Sequence, residues 1–316
     1  MRKPPRQEPK HDALGRRIGD TRQPTEKHIF INDVDLERLE FLHRHGALPT
    51  PYIHERTKQH SKNDRATNYR LRDLYHEIET GFGGPLLDRP PQQYRTKNPE
   101  RNYCVHSISK YGIRALGKAG RTHENTPLSS GSWDHDFLRA CYTASIELGC
   151  RSKPDLFRFI HHDTVINNAI KKTGKVPEFR IDGKNFVPDA LFGIHYLKQN
   201  KVRLFAVEID MMTESITSKS RRTKTVELIF DHYRKFIGNG LYKRQFAFGG
   251  SFFLVVITVN PTHAHNIMKR IPHEEFILFN WIDGFEYYIK PPNVMPWLFA
   301  ETYDRCGHAP FDMSRF

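Results

Sequence analysis

Apolar positions recur at helical spacing from Asp35 to His45, where Leu36, Leu39 and Leu42 stand between charges and the run stops at Gly46. A short second helix is expected over Pro51 to Gln59. A third, from Thr67 to Ile78, carries Leu71, Leu74, Tyr75 and Ile78 on a single stripe. A glycine-rich turn (Gly81, Gly83, Gly84) leads to Leu86-Leu87, a polar loop and the strand-like Tyr103-Cys104-Val105-His106, which together predict a β-hairpin. A further helix over Lys110 to Leu116 closes this segment. Thr122 to Ser132, rich in Gly, Ser, Thr and Pro, reads as a linker.

Beyond it, Trp133 to Leu148 has a helical apolar pattern through Phe137, Leu138, Cys141, Ile146 and Leu148. Strands are expected at Glu178–Ile181 and Lys184–Ile194, joined by the Asp182-Gly183 turn, and again at Lys201–Asp210. A long helix, Lys219 to Ile237, precedes Ser251 to Val259, whose unbroken apolar run suits a strand buried on both faces. A helix over Pro261 to Ile271 and a strand over Phe276 to Ile282 follow. The expected class is α+β. It comprises a disordered basic arm (1–27), a helical domain with a hairpin (28–121), a linker (122–132) and an α/β domain with a central mixed sheet (133–316).

Charge narrows the partner. Of 316 residues, 49 are Lys or Arg and 36 Asp or Glu, a formal charge of +13 spread over both halves. Such an excess favours a polyanion, because phosphates that meet cations release their condensed counterions. A protein–protein adaptor is the less favoured alternative. No apolar run reaches the length that spans a bilayer, and the first residues lack an apolar signal core, so a cytoplasmic protein is expected. Four widely spaced cysteines rule out a zinc ribbon or a disulfide scaffold. The 18 histidines read as ordinary surface or core residues.

On the third helix, Arg65, Tyr69, Arg72 and His76 fall together opposite the apolar stripe, the layout of a major-groove recognition helix. The hairpin loop adds Arg95, Lys97 and Arg101. Three helices followed by a basic hairpin is the order of a winged helix-turn-helix, in which the wing lies along phosphates. In the second domain, Asp189 follows Val187-Pro188, and Glu208 and Asp210 share one strand face. Carboxylates converging from neighbouring strands suit Mg²⁺ or Mn²⁺, and such an ion can activate water against a phosphodiester. A salt bridge to Arg221 or Lys224 would satisfy the same acids without catalysis. His135 and Asp136 either add to this site or cap their helix, and Glu147 is a further candidate carboxylate.

Pro188-Asp189 followed by Glu208-x-Asp210 resembles the PD-(D/E)xK nuclease superfamily. The whole layout resembles the bacterial replication-relaxation family, in which a winged helix precedes a nuclease-like domain. The residues carrying the resemblance are Arg70-Leu71-x-x-Leu74, Trp133-x-His135-Asp136, Pro188-Asp189-Ala190-Leu191-Phe192 and Phe205-x-Val207-Glu208-Ile209-Asp210-x-x-Thr213-Glu214. The resemblance adds Arg70 to the DNA-contacting set and implies a role in plasmid replication or transfer, with DNA, a second copy or other mobile-element proteins as partners. Asp210 stands where the nuclease motif has its lysine. Lys224 or Lys219 of the next helix is the candidate substitute, and without one the domain is a silent scaffold.

Overall fold

The computed structural model describes residues 22–25, 27–61, 63–94, 104–122, 132–211, 226–271, 273–282 and 293–316. Arg95, Lys97 and Arg101 of the expected wing, and Lys219, Arg221, Arg222 and Lys224, lie outside the described residues. The chain forms two compact units, one of residues 1–122 with 287–293, the other of 123–286 with 294–316.

The first unit runs α1 (Asp33–His45), β1 (Leu48–Pro49), α2 (Thr50–Thr57), α3 (Asp64–His76), β2 (Leu87–Asp88), β3 (Val105–Ile108) and α4 (Lys110–Lys118). Its three short strands pair antiparallel in the order β1-β3-β2. A capping box starts α1: Asn32 Oδ1 accepts from Asp35 N, and the Asp35 carboxylate accepts from Asn32 N. Leu39, Leu42, Ile53, Leu71, Leu74, Leu87, Val105 and Leu116 are buried and form the interior. Gly112 lets α4 sit on the β2 side, since a Cβ there would lie 2.4 Å from the Leu86 carbonyl oxygen.

Two expectations change here. The third helix begins at an Asn63 cap and stops at His76, so Ile78 is no part of its inner stripe and stands 51% exposed. The helix ends because Glu77 turns extended and gives its carboxylate to Thr25 N and Oγ1 (3.0 and 2.8 Å) and to Lys27 N. Residues 22–25 and Lys27, expected as part of a disordered arm, are thus tied to the end of α3. Arg22 also donates to the carbonyls of Tyr75 and Leu87, and its guanidinium lies 4.4 Å from the Tyr75 ring centroid.

The second unit runs α5 (Trp133–Arg151), β4 (Phe157–Ile160), α6 (His162–Thr173), β5 (Arg180–Ile181), β6 (Lys184–Asn185), β7 (Ala190–Tyr196), β8 (Lys201–Asp210), α7 (Val226–Gly238), α8 (Leu241–Gln245), β9 (Ser251–Thr258), α9 (Pro261–Met268), β10 (Ile277–Trp281), β11 (Thr302–Arg305) and β12 (His308–Asp312). Seven strands form one mixed sheet in the order β12-β11-β10-β9-β8-β7-β4. β8, β9 and β10 are parallel and the other pairs antiparallel. Leu191, Leu204 and Ala206 of the sheet pack with Phe230, Tyr233 and Phe236 of α7 in one apolar cluster. The expected Lys184–Ile194 strand divides: β5 and β6 form a separate hairpin around Asp182 and Gly183, both at positive φ, and β7 begins at Ala190. β4, α6, β11 and β12 had no counterpart in the sequence reading. No described helix is long and apolar enough to cross a membrane, and the four cysteines are unbridged.

Candidate functional site

Each unit carries one group of polar side chains that its fold leaves in a distinctive state. On α3, Arg65, Tyr69 and Arg72 are exposed on one face. Arg65 Nε and Nη2 donate to the Tyr69 hydroxyl (3.2 and 3.1 Å), and the Arg65 and Arg72 guanidinium groups lie 5.5 and 5.1 Å from its ring centroid. Among the described residues no carboxylate pairs with either arginine. A tyrosine between two guanidinium groups holds them in place through the ring quadrupole and leaves their charge uncompensated.

The other α3 candidates are placed differently. Arg70 forks onto Asp35 (Nε to Oδ1 3.0 Å, Nη2 to Oδ2 2.6 Å) and donates to the Phe30 carbonyl. Asp35 is fully buried and also receives Arg38 (3.1 Å), so Arg70 ties α3 to α1. His76 is half-buried and its Nδ1 accepts from Gln23 N (3.0 Å). Burial, then the charges of Arg89 and Arg72, lower its pKa to about 4. It is a neutral acceptor turned toward its own chain.

In the second unit the acids gather at one end of the central strands. Ala190 pairs with Val207 in the antiparallel β7–β8 ladder, so Asp189 stands opposite Glu208. Asp189 Oδ2 accepts from Ile209 N (2.7 Å) and contacts His135 Nε2 (2.9 Å), which α5 brings from 54 residues away. Burial alone would depress the His135 pKa, but the hydrogen bond and charge of Asp189, helped by Asp136, raise it. Tyr233 on α7 donates to Glu208 Oε1 (2.6 Å); burial, then Glu208, pushes that phenol well above its ordinary range. Asp210 Oδ2 meets His263 Nε2 (2.9 Å) at the start of α9. Arg139, also buried, feels the charges of Asp136 and Asp189.

Of the two readings of His135 and Asp136, His135 reaches Asp189, whereas the N-cap position of α5 is Ser132, which makes no side-chain cap hydrogen bond; Asp136 lies in the first turn with an oxygen 3.8 Å from His135 Nδ1. Glu147 lies further along α5, buried, 3.5 Å from His161 Nε2. Sequence reasoning passed over His263 and Tyr233. A helical tyrosine on an apolar stripe carries no signal of a carboxylate partner, and His263, three residues after the Asn260 cap of α9, reads in sequence as an ordinary histidine.

The donor set, carboxylate oxygens at strand ends, has the chemistry hard cations prefer. Its arrangement does not fit a single ion: the ligand atoms of Asp189, Glu208 and Asp210 do not all lie within 4.8 Å of one another, and each acid already receives a protein donor. No protein-family model matches the chain, and no curated protein or solved structure matches it.

Proposed function

We propose that this is a DNA-binding protein whose first unit is a winged helix-turn-helix, with α3 as the recognition helix and Arg65, Tyr69 and Arg72 as its reading face. The observation that carries this is the exposed, acid-free Arg–Tyr–Arg stripe on the third helix of a unit with three antiparallel strands. Arginine is the commonest partner of guanine edges, and its guanidinium also meets phosphates. Arg70 and His76 leave the reading face, since both are engaged within the unit. The role in plasmid replication or transfer rests on the motif resemblance alone. Fluorescence anisotropy with duplex DNA tests the proposal. Arg65→Ala and Arg72→Ala are each expected to weaken binding by about 1–3 kcal/mol, roughly 5- to 150-fold. Affinity unchanged in both variants removes α3 from the interface.

A second reading, a phosphodiesterase of PD-(D/E)xK type, is favoured by one observation. In the sheet, β4, β7 and β8 are antiparallel neighbours and β9 joins β8 in parallel, although α6 and the β5–β6 hairpin intervene in the chain between β4 and β7; this order sets Asp189 against Glu208 at a shared end. Its test is supercoiled plasmid incubated with Mn²⁺, Mg²⁺ or EDTA, beside the Asp189→Ala/Glu208→Ala variant. Metal-dependent nicking lost in the variant supports an endonuclease; retarded but intact plasmid in every lane leaves a DNA-binding scaffold.

A further inference from the structure

The cations of the first unit fall into two populations. Those of α1 and α2 are neutralised: Arg44 by Glu40 (3.0 Å), Arg56 by Glu37, and beyond α4 Arg121 by Asp33 (3.3 Å). On α4 the pattern reverses. Lys110, Arg114 and Lys118 recur every fourth residue, are exposed, and have no carboxylate partner among the described residues. Rings and a carbonyl hold them instead. Lys110 Nζ and the Arg114 guanidinium lie 5.0 and 5.5 Å from the Tyr111 centroid, Lys118 Nζ lies 5.0 Å from that of Phe82, and Arg114 Nη1 donates to the Phe82 carbonyl (2.8 Å). These contacts orient the side chains without cancelling a charge, as Tyr69 does for Arg65 and Arg72. On a helix the three cations fall within an arc of about 80° and span roughly 12 Å along the axis.

We propose that the Lys110–Arg114–Lys118 face of α4 is a second polyanion-binding surface, which takes the phosphate backbone of a duplex nucleic acid without reading its sequence. A linear, repeating anion fits a linear row of uncompensated cations. An anionic membrane fits less well, because Gly112, Ala115 and Leu116, the side of α4 able to enter lipid, are already buried. The surface shares its partner class with the α3 reading but stands on different residues.

The test is the salt dependence of binding to a duplex of random sequence, measured by anisotropy on the full chain. Each lost phosphate contact lowers the slope of log K against log salt by about 0.9, so Lys110→Gln/Arg114→Gln/Lys118→Gln is expected to flatten it by about 3. The charge-keeping Lys110→Arg/Arg114→Lys/Lys118→Arg variant is expected to keep the wild-type slope. If the triple neutralisation fails to fold, the three single variants carry the test at about 0.9 each. An unchanged slope overturns the proposal, as does wild-type protein that binds phosphatidylserine–phosphatidylcholine vesicles and not duplex. Flattening in the α4 variant while Arg65→Ala and Arg72→Ala bind normally supports the α4 surface and rejects the α3 reading alone.

Discussion

Asp35 and Asp189 are both acids taken out of bulk water, and they are neutralised in opposite ways. Asp35, with no exposure, faces two guanidinium groups, Arg38 and Arg70, that hold their protons at any ordinary pH. Asp189 keeps slight exposure and is contacted by His135 and one backbone N–H, while Arg139 acts on it through charge without a hydrogen bond between them. A guanidinium cannot release its charge, so the first arrangement is fixed and holds α1, α3 and Phe30 together. An imidazole can, so the second yields to pH or to an arriving ligand. The nature of the counter-charge, more than burial, separates an acid that holds a fold from one that can serve chemistry.

The largest effect should come from breaking the fixed side. Asp35→Asn leaves the buried Arg38 and the partly buried Arg70 without their shared counter-charge and is expected to cost about 3–5 kcal/mol in urea unfolding. A loss below that of Asp189→Asn would erase the distinction. Tyr233→Phe removes a hydrogen bond to the Glu208 carboxylate and is expected to cost about 1.5–3 kcal/mol. Asp189→Asn, whose His135 partner can shed its proton, is expected to cost only about 1–2 kcal/mol by the same measurement.

The pH responses sharpen the contrast without large energies. His135 has a raised pKa, so its contribution is complete below the unfolded value of about 6.5 and fades as pH rises through the folded one. His76 and His106 are depressed, to about 4 and about 3, by burial first and nearby Arg89 second. Their contribution is complete above about 6.5 and is lost as pH falls through those values. NMR titration of the ring nitrogens should show His135 still protonated where His76 and His106 are neutral. His135 titrating below its ordinary value would reject the Asp189 pairing.

Periodicity made much of the fold readable. Leu71, Leu74 and Tyr75 marked α3, Leu204 to Val207 marked β8, and the run at Ser251 marked β9. The missed strands lacked that signal: β4 (FRFI) and β11 (TYDR) are four residues long, and β12 (HAPFD) carries a proline. The stripe of α6, Val165, Ile166 and Ala169, covers little more than one turn and is too short to stand out as a helical period. In the site, strand alternation placed Glu208 and Asp210 on one face. Their partners arrive from α5, α7 and α9, and contacts across more than 50 residues leave no local trace for His135 and His263. Arg70 joins the DNA-contacting set only through the resemblance, and a short motif cannot reveal that Asp35, 35 residues earlier, receives its guanidinium.

The strand order has a consequence for synthesis. Read from one edge, the seven-stranded sheet is β4, β7, β8, β9, β10, β11, β12, the order in which the chain supplies them. No strand has to be threaded between two already paired, so each newly made strand can dock on a waiting edge while the next is still emerging. The distant pairings that make mixed sheets slow to form are thereby divided into successive single additions. Growth would pause longest between β8 and β9, where the parallel partner arrives only after α7 and α8 have been made.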